Sequence, residues 1–208
     1  MNILISAGPT REKIDDVRFI TNRSTGKMGY ALAEAARDAG HQVTLVSGPV
    51  SLPPVDRVKM IRVETAAQMA EAILSVADTF DAIIMTAAVA DYRPIKTVAG
   101  KLKKQPGNLM LELERTTDIL QTLGQRKRDG QILVGFAAES DHVIDYARGK
   151  LLGKNLDWIV ANDISRTDAG FAGENNAVTI LGKAGQMIEL GLDSKKNIAR
   201  EILRQILG

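Results

Sequence analysis

Strands that alternate with helices from the first residues onward predict a doubly wound α/β fold, a mostly parallel sheet covered on both faces, with an antiparallel hairpin appendage. Three observations carry that prediction. The runs NILIS (2–6), QVTLVS (42–47) and DAIIMT (81–86) are short, apolar and rich in β-branched residues, as strands buried on both faces are. Stretches rich in helix formers stand between them, and a Pro-Gly pair inside 101–114 interrupts that rhythm.

The first strand meets Gly8 and Pro9, which end it in a turn. AGPTREKIDDVRFITNRSTGKMG (7–29) then joins it to the first helix. Such a connection ordinarily takes about two to six residues, so this one is read as a functional loop. MGYALAEAARDA (28–39) is a helix stopped by Gly40, and QVTLVS is a second strand ended by Gly48-Pro49. Thr65 and Gln68 have capping-box spacing, and behind them Met69, Ala70, Ile73, Leu74 and Ala77 share a helical face. DAIIMT is a third strand and runs into AAVADYRP (87–94). KLKKQ, Pro106-Gly107 and LMLEL read as the hairpin appendage, over about 100–115, with Lys101 and Lys103 on one face. A helix starts in 117–123, a fourth strand covers 132–136, a helix covers 141–155 and DWIVA (157–161) is a fifth strand. A C-terminal hairpin at about 175–190 and an amphipathic helix over 194–207 complete the chain. With no internal repeat, linker or low-complexity segment, residues 1–208 read as one domain.

Composition narrows the function. The chain has 208 residues, 45% hydrophobic and 25% charged, with 27 Lys and Arg against 25 Asp and Glu. A net charge of +2 gives no reason to expect nucleic acid or a membrane surface. Zero cysteines exclude a disulfide framework, a thiolate metal site and a Cys nucleophile, and fit a reducing cytoplasm. No apolar run approaches the about 18 residues of a membrane span, and Met1-Asn2-Ile3 reads as a strand rather than a signal peptide, so a cytoplasmic protein is expected.

Ligands of open parallel sheets sit beyond the carboxyl ends of the strands, which directs attention to 8–29, 87–94 and 137–141. In the first loop Ser24, Thr25, Gly26 and Gly29 precede a helix whose N–H groups suit a phosphate, although glycines there equally shape a turn. Arg18 and Asn22 could polarise a carbonyl, though Asn is also a common turn residue. KLKK fits either a Lys-protected solvated edge or, through Lys101, charge neutralisation at a triphosphate or acyl phosphate. Lys150 and Lys154 share one helical face, a pattern that by itself suits solvent. Asp91 could bind ribose or a metal-bound phosphate, or cap a turn, and His142 stands isolated. A nicotinamide-dependent oxidoreductase would need GxGxxG after the first strand and an acidic residue where Ser47-Gly48-Pro49 stands; a P-loop kinase would need a hydroxyl where Met28 stands. A non-catalytic nucleotide-binding module is the third reading.

AGPTREKIDDVRFITNRSTGKMG, TAAVADYRP, KLKK, GFAAE, YARGKLLGKNLD and IVANDIS stand in the order and spacing of bacterial phosphopantothenoylcysteine synthetase, the ligase of coenzyme A synthesis. The chain resembles that family over essentially its whole length. The resemblance implies a Rossmann-like ligase that is cytoplasmic and homodimeric. In it CTP activates the carboxylate of 4'-phosphopantothenate as an acyl-cytidylate with loss of pyrophosphate, and the amine of L-cysteine then displaces CMP. It further implies that Asn22, Lys101 and Arg18 are catalytic, with Asn22 at the acyl intermediate and Lys101 at the triphosphate. Nucleotide contacts fall on Gly8, Ser24, Gly26, Ala87, Ala88, Asp91, Lys101, Thr116, Thr117, Asp118, Ile119, Phe136, Lys150 and Lys154. The family has Asn-Pro where Thr116-Thr117 stands here. Mg2+ is expected on the triphosphate without a protein metal site, and no flavin is expected in this chain. The flavin-dependent decarboxylase that family members often carry upstream would be fused or separate, the chain being a stand-alone form or an excised ligase half. The appendage would be a dimer element or a flap over the site.

Overall fold

The computed structural model describes residues 1–104, 106–163 and 173–208, so Gln105 of KLKKQ and the last two residues of IVANDIS lie outside the described residues. The chain begins with β1 (Asn2–Ala7), a short ribbon of β2 (Arg11–Lys13) and β3 (Phe19–Thr21), α1 (Lys27–Asp38), β4 (Gln42–Ser47) and β5 (Lys59–Arg62). There follow α2 (Ala66–Leu74), a 3-10 turn (Ala77–Thr79), β6 (Ala82–Met85), a second ribbon of β7 (Tyr92–Pro94) and β8 (Leu113–Arg115), α3 (Ile119–Arg126) and β9 (Ile132–Glu139). α4 (Val143–Gly153), β10 (Trp158–Asp163), β11 (Asn175–Gly182), β12 (Met187–Ser194) and α5 (Lys195–Leu207) complete it.

Eight strands form one sheet in the order β12-β11-β10-β9-β6-β1-β4-β5. From β5 to β10 every neighbour is parallel, and β11 and β12 extend the edge antiparallel. Successive side chains of a strand face opposite layers, so both faces of the central strands must be apolar. In β1, Ile3 and Ile5 pack with α1 and α5, while Leu4 packs with α2 on the opposite face. α1 lies close against β1: a methyl group added at Gly29 would stand 2.6 Å from both Ala7 Cβ and Thr86 Oγ1. The capping box forms as expected, Gln68 N donating to Thr65 Oγ1 at 3.2 Å and Thr65 N to Gln68 Oε1 at 3.1 Å. Buried Glu12 adds to it by accepting from Ala66 N at 2.8 Å, placing a carboxylate at the N-terminal end of α2.

Three features differ from the sequence expectation. KLKK and LMLEL do not pair with each other. Gly107 does adopt the positive φ of 89° that its turn requires, but β8 pairs with β7, so the appendage is a ribbon begun by Tyr92–Pro94. Lys59–Arg62 is an edge strand to which the sequence assigns no element, because its mixed Lys-Met-Ile-Arg pattern carries no clear period. The long connection after β1 is itself folded, with Arg11, Glu12 and Lys13 opposite Thr21, Ile20 and Phe19.

Candidate active site

The sheet's switch point lies between β1 and β6, where the chain stops adding strands on one side and begins on the other. Loops leaving the carboxyl ends of two such strands diverge and leave a crevice. Here the loops are also stitched together. Ala88 N donates to Gly8 O at 2.9 Å, Thr10 N to Ala88 O at 3.3 Å and Ala90 N to Thr10 Oγ1 at 3.0 Å. Ser6, fully buried at the end of β1, accepts on Oγ from both Thr86 N and Ala87 N at 3.1 Å. These hydroxyls satisfy backbone groups that leave the sheet ladder while still buried. Asn22 closes the same seam by donating from Nδ2 to Ala88 O at 3.0 Å. Thr116 is another stitch, its Oγ1 donating to Ala90 O at 2.6 Å.

A cavity of about 440 Å3 opens against this seam. Its wall brings together Asn22, Ser24, Ala87, Ala88, Asp91, Thr116, Thr117, Asp118, Ile119, Phe136, Lys150 and Lys154, segments distant in sequence. The helical period sets Lys150 and Lys154 on the α4 face that borders it. Both ammonium groups are matched by carboxylates: Lys150 Nζ lies 2.5 Å from Glu139 Oε1, and Lys154 Nζ lies 2.7 Å from Asp118 Oδ2. Asp118 also caps α3, accepting from Gln121 N at 2.9 Å. Burial opposes ionisation of Asp118, but Lys154 and that N–H outweigh it, so its carboxyl sits below its ordinary value. Arg23, Met85, Val89, Leu120 and Ala138 complete the wall and were not anticipated: the four apolar side chains carry no chemical signal of their own, and nothing local to Arg23 distinguishes it from the other basic residues of the loop.

A second cavity, of about 160 Å3, adjoins the first and shares Ser24, Ala87, Ala88, Phe136 and Ala138 with it. It is bounded by the start of α1, from Thr25 to Gly29, and by Asn162, Asn176 and Lys195. Asn162 and Asn176 are 8% and 3% exposed, and the Oδ1 of each is buried without a hydrogen-bond partner. Sequence reading missed these three residues. The available signal was an asparagine ending the apolar run of β10, where a polar side chain has to answer to something.

The other expected residues lie elsewhere. Gly26 borders the smaller cavity, whereas Gly8, Arg18 and Lys101 border neither. Arg18 and Leu102, the residue after Lys101, are instead joined through Asp15, which is 2% exposed. Asp15 Oδ1 accepts from Val17 N at 2.8 Å and Arg18 N at 2.7 Å. Its Oδ2 accepts from Arg18 Nε at 3.0 Å, Arg18 Nη2 at 2.5 Å and Leu102 N at 3.0 Å. The guanidinium holds the Asp15 carboxyl far below the usual carboxylate range, against the effect of burial, with the backbone N–H groups adding to it. Gly100 N donates to Asp16 Oδ2 at 2.7 Å and Val98 N to Ile14 O at 3.1 Å, so residues 98–102 are zipped onto the long loop. Arg18 Nη2 also donates to Leu102 O at 3.0 Å, which directs the guanidinium to the clamp. Among the described residues, no group of three or more His, Cys, Asp or Glu side chains is placed to hold a metal ion. Among them, too, no helix is long and apolar enough to cross a membrane.

Comparison with known proteins gives this arrangement a context. The sequence model of one family, described as DNA/pantothenate metabolism flavoprotein C-terminal domain, matches residues 1–208. The Coenzyme A biosynthesis bifunctional protein CoaBC of Bacillus subtilis (strain 168) is 55% identical over 206 residues, 99% of this chain and 50% of that protein. The protein of the same name from Vibrio parahaemolyticus is 47% identical over 207 residues, 52% of its length. The chain therefore spans about half the length of the relatives it matches. The crystal structure of the C-terminal domain of a Coenzyme A biosynthesis bifunctional protein CoaBC superimposes with a TM-score of 0.84 at 51% identity, covering 99% of this chain and 93% of that one.

Proposed function

This chain belongs to the DNA/pantothenate metabolism flavoprotein C-terminal domain family, and from that premise we propose that it joins 4'-phosphopantothenate to L-cysteine in coenzyme A biosynthesis, consuming CTP and releasing CMP and pyrophosphate. The observation that carries the reading is the larger cavity, whose wall gathers nearly all the residues that the resemblance assigns to the nucleotide.

The chemistry sets the requirements. A carboxylate does not acylate an amine until it is converted to a mixed anhydride, which must then be kept from water. A carboxylate oxygen of phosphopantothenate attacks the α-phosphorus of CTP and pyrophosphate leaves. The cysteine nitrogen, as the neutral amine, then attacks the acyl carbon; the acyl C–O bond breaks, CMP leaves with its electron pair, and the nitrogen gives one proton to solvent while keeping the other as the amide N–H. Lys150 and Lys154 meet the nucleotide from α4. Asp118 and Glu139 orient those ammonium groups before it arrives, so little reorganisation is needed. Asn22, fixed on Ala88 O at the seam, presents its amide to the acyl group. Lys101, carried outside the cavity on the segment that Asp15 and Arg18 hold in place, is assigned to the phosphates by the resemblance alone. Magnesium would be held by the triphosphate and would neutralise its charge, with Asp91 on that wall placed to meet it.

The active form is a homodimer. Val17, Phe19, Ile95, Val98 and Met110 are exposed on the ribbon and the appendage, an apolar surface suited to a second copy. The natural context is the cytoplasm, with a flavin-dependent decarboxylase, fused or separate, supplying the chemistry downstream. The test is pyrophosphate release from 4'-phosphopantothenate, comparing CTP with ATP, with and without cysteine. CTP-dependent release that becomes catalytic when cysteine is added supports the reading. Tight CTP binding without turnover makes the chain a nucleotide-binding module, and hydride exchange with NAD(P)H makes it an oxidoreductase.

A further inference from the structure

We propose that the smaller cavity, between the start of α1 and Asn162, Asn176 and Lys195, is the subsite that holds the amino-acid substrate as a zwitterion. This deepens the ligase reading and rests on it.

Size decides first. A cavity of about 150 Å3 inside a protein accommodates benzene, so one of this size takes a molecule of about seven heavy atoms. The cavity here measures about 160 Å3. An amino acid with a short side chain meets that limit, whereas a nucleoside triphosphate and the extended phosphopantothenate exceed it several-fold.

Polarity decides next. A zwitterion needs partners for an anion and for a cation, and groups of both kinds line this cavity. The first turn of α1, whose leading N–H groups have no partner within the helix, and the ammonium of Lys195, which also donates to Gly173 O, suit a carboxylate. The amide oxygens of Asn162 and Asn176, both buried without hydrogen-bond partners, suit an ammonium group. A buried acceptor left unpaired costs stability, so natural proteins seldom keep two side by side without something that donates to them. An ammonium group brings three donors. Met28, Ala87 and Ala137 also line the cavity and suit a small apolar or thiol-bearing side chain.

Position decides last. The shared wall of Ser24, Ala87, Ala88, Phe136 and Ala138 is the boundary across which an amine would meet an acyl group activated in the larger cavity. Once the bound ammonium has given one proton to solvent, the amine lies beside that acyl group and attacks it as a neighbour rather than by collision from solvent.

Two variants test the subsite, Lys195→Gln and Asn176→Ala, each assayed in two stages. Pyrophosphate release from CTP and 4'-phosphopantothenate without cysteine reports the first half-reaction and also whether the variant is folded. Product formation against cysteine concentration reports the subsite. The expected result is a KM for cysteine raised tenfold or more in both variants, with the first half-reaction within twofold of wild type. With cysteamine, which lacks the carboxylate, Lys195→Gln changes KM less than twofold while Asn176→Ala still raises it. An unchanged KM for cysteine beside an intact first half-reaction overturns the subsite alone, as does a first half-reaction lost in step with the second, since that makes the wall part of the nucleotide site. Wild-type protein that releases no pyrophosphate overturns the ligase reading and the subsite with it.

Discussion

Asp15 Oδ2 accepts a hydrogen bond from the backbone N–H of Leu102 at 3.0 Å, joining the loop after β1 to the segment that carries Lys101. The same oxygen holds Arg18, so one buried carboxylate sets the positions of two residues assigned to catalysis. Asp15→Ala is expected to lower kcat by about 10- to 100-fold through misplacement of Lys101, with a smaller change in KM for CTP. Steady-state kinetics check it. Because Arg18 lowers the folded-state pKa of Asp15 and so favours its ionised form, the clamp's contribution is present above the unfolded value of about 3.9 and is lost only as pH falls through the lower folded value. The acid limb of a pH–rate profile between about pH 5 and 8 should therefore be unchanged in Asp15→Asn, whatever its rate.

Asn22→Asp replaces an amide donor with an acceptor that faces Ala88 O. The acyl-cytidylate should still form, and its conversion should slow by about 10²- to 10³-fold, the usual effect of losing one donor to a developing oxyanion. A rapid-quench experiment would show pyrophosphate released in a burst without matching product. Lys101→Gln, in contrast, should slow the burst itself.

Removing Lys154 alone does two things at once, because its partner Asp118 remains as an unmatched carboxylate on the cavity wall. Lys154→Gln should raise KM for CTP about tenfold. The double variant Lys154→Gln/Asp118→Asn should recover part of that loss, which a double-mutant cycle in KM would read as non-additivity. Additive single effects would mean that the pair does not act as a unit.

Gly29→Ala tests how closely α1 lies on β1. The added methyl would stand 2.6 Å from Ala7 Cβ and from Thr86 Oγ1, so the helix must shift. Overpacking of this kind costs about 1 to 3 kcal/mol, and a chain of this size loses about 2 to 4 °C of Tm per kcal/mol. Calorimetry measures the shift.

The parallel core was legible because its strands are buried on both faces and so read as continuous apolar runs, as in NILIS and DAIIMT. The Thr65–Gln68 cap was legible because its donors and acceptors lie three residues apart. What escaped depends on distant partners. Arg11–Lys13 and Phe19–Thr21 have little strand character of their own and are held by contacts such as Arg11 N to Glu64 O and the Arg11 guanidinium over the Phe19 ring. KLKK looked like half of a hairpin because the turn at Pro106-Gly107 is a local signal, while the pairing of Tyr92–Pro94 with Leu113–Arg115 is not. In the site, the residues that the family motifs assign to the nucleotide were mostly legible. Asn162, Asn176 and Lys195 were not, since their meaning comes from being buried around one cavity.

The clamp on Leu102 has an architectural consequence for how the sequence can vary. Leu102 is fixed by Asp15, and the chain is fixed again where Ile95 N donates to Glu112 O at 3.1 Å, just before β8. These two anchors do not depend on the length of the stretch between them. Residues can be added or deleted around Pro106-Gly107 without transmitting a displacement to Lys101 on one side or to Thr116 and Asp118 on the other, whereas a single insertion between Asp15 and Arg18 would break the register of the clamp.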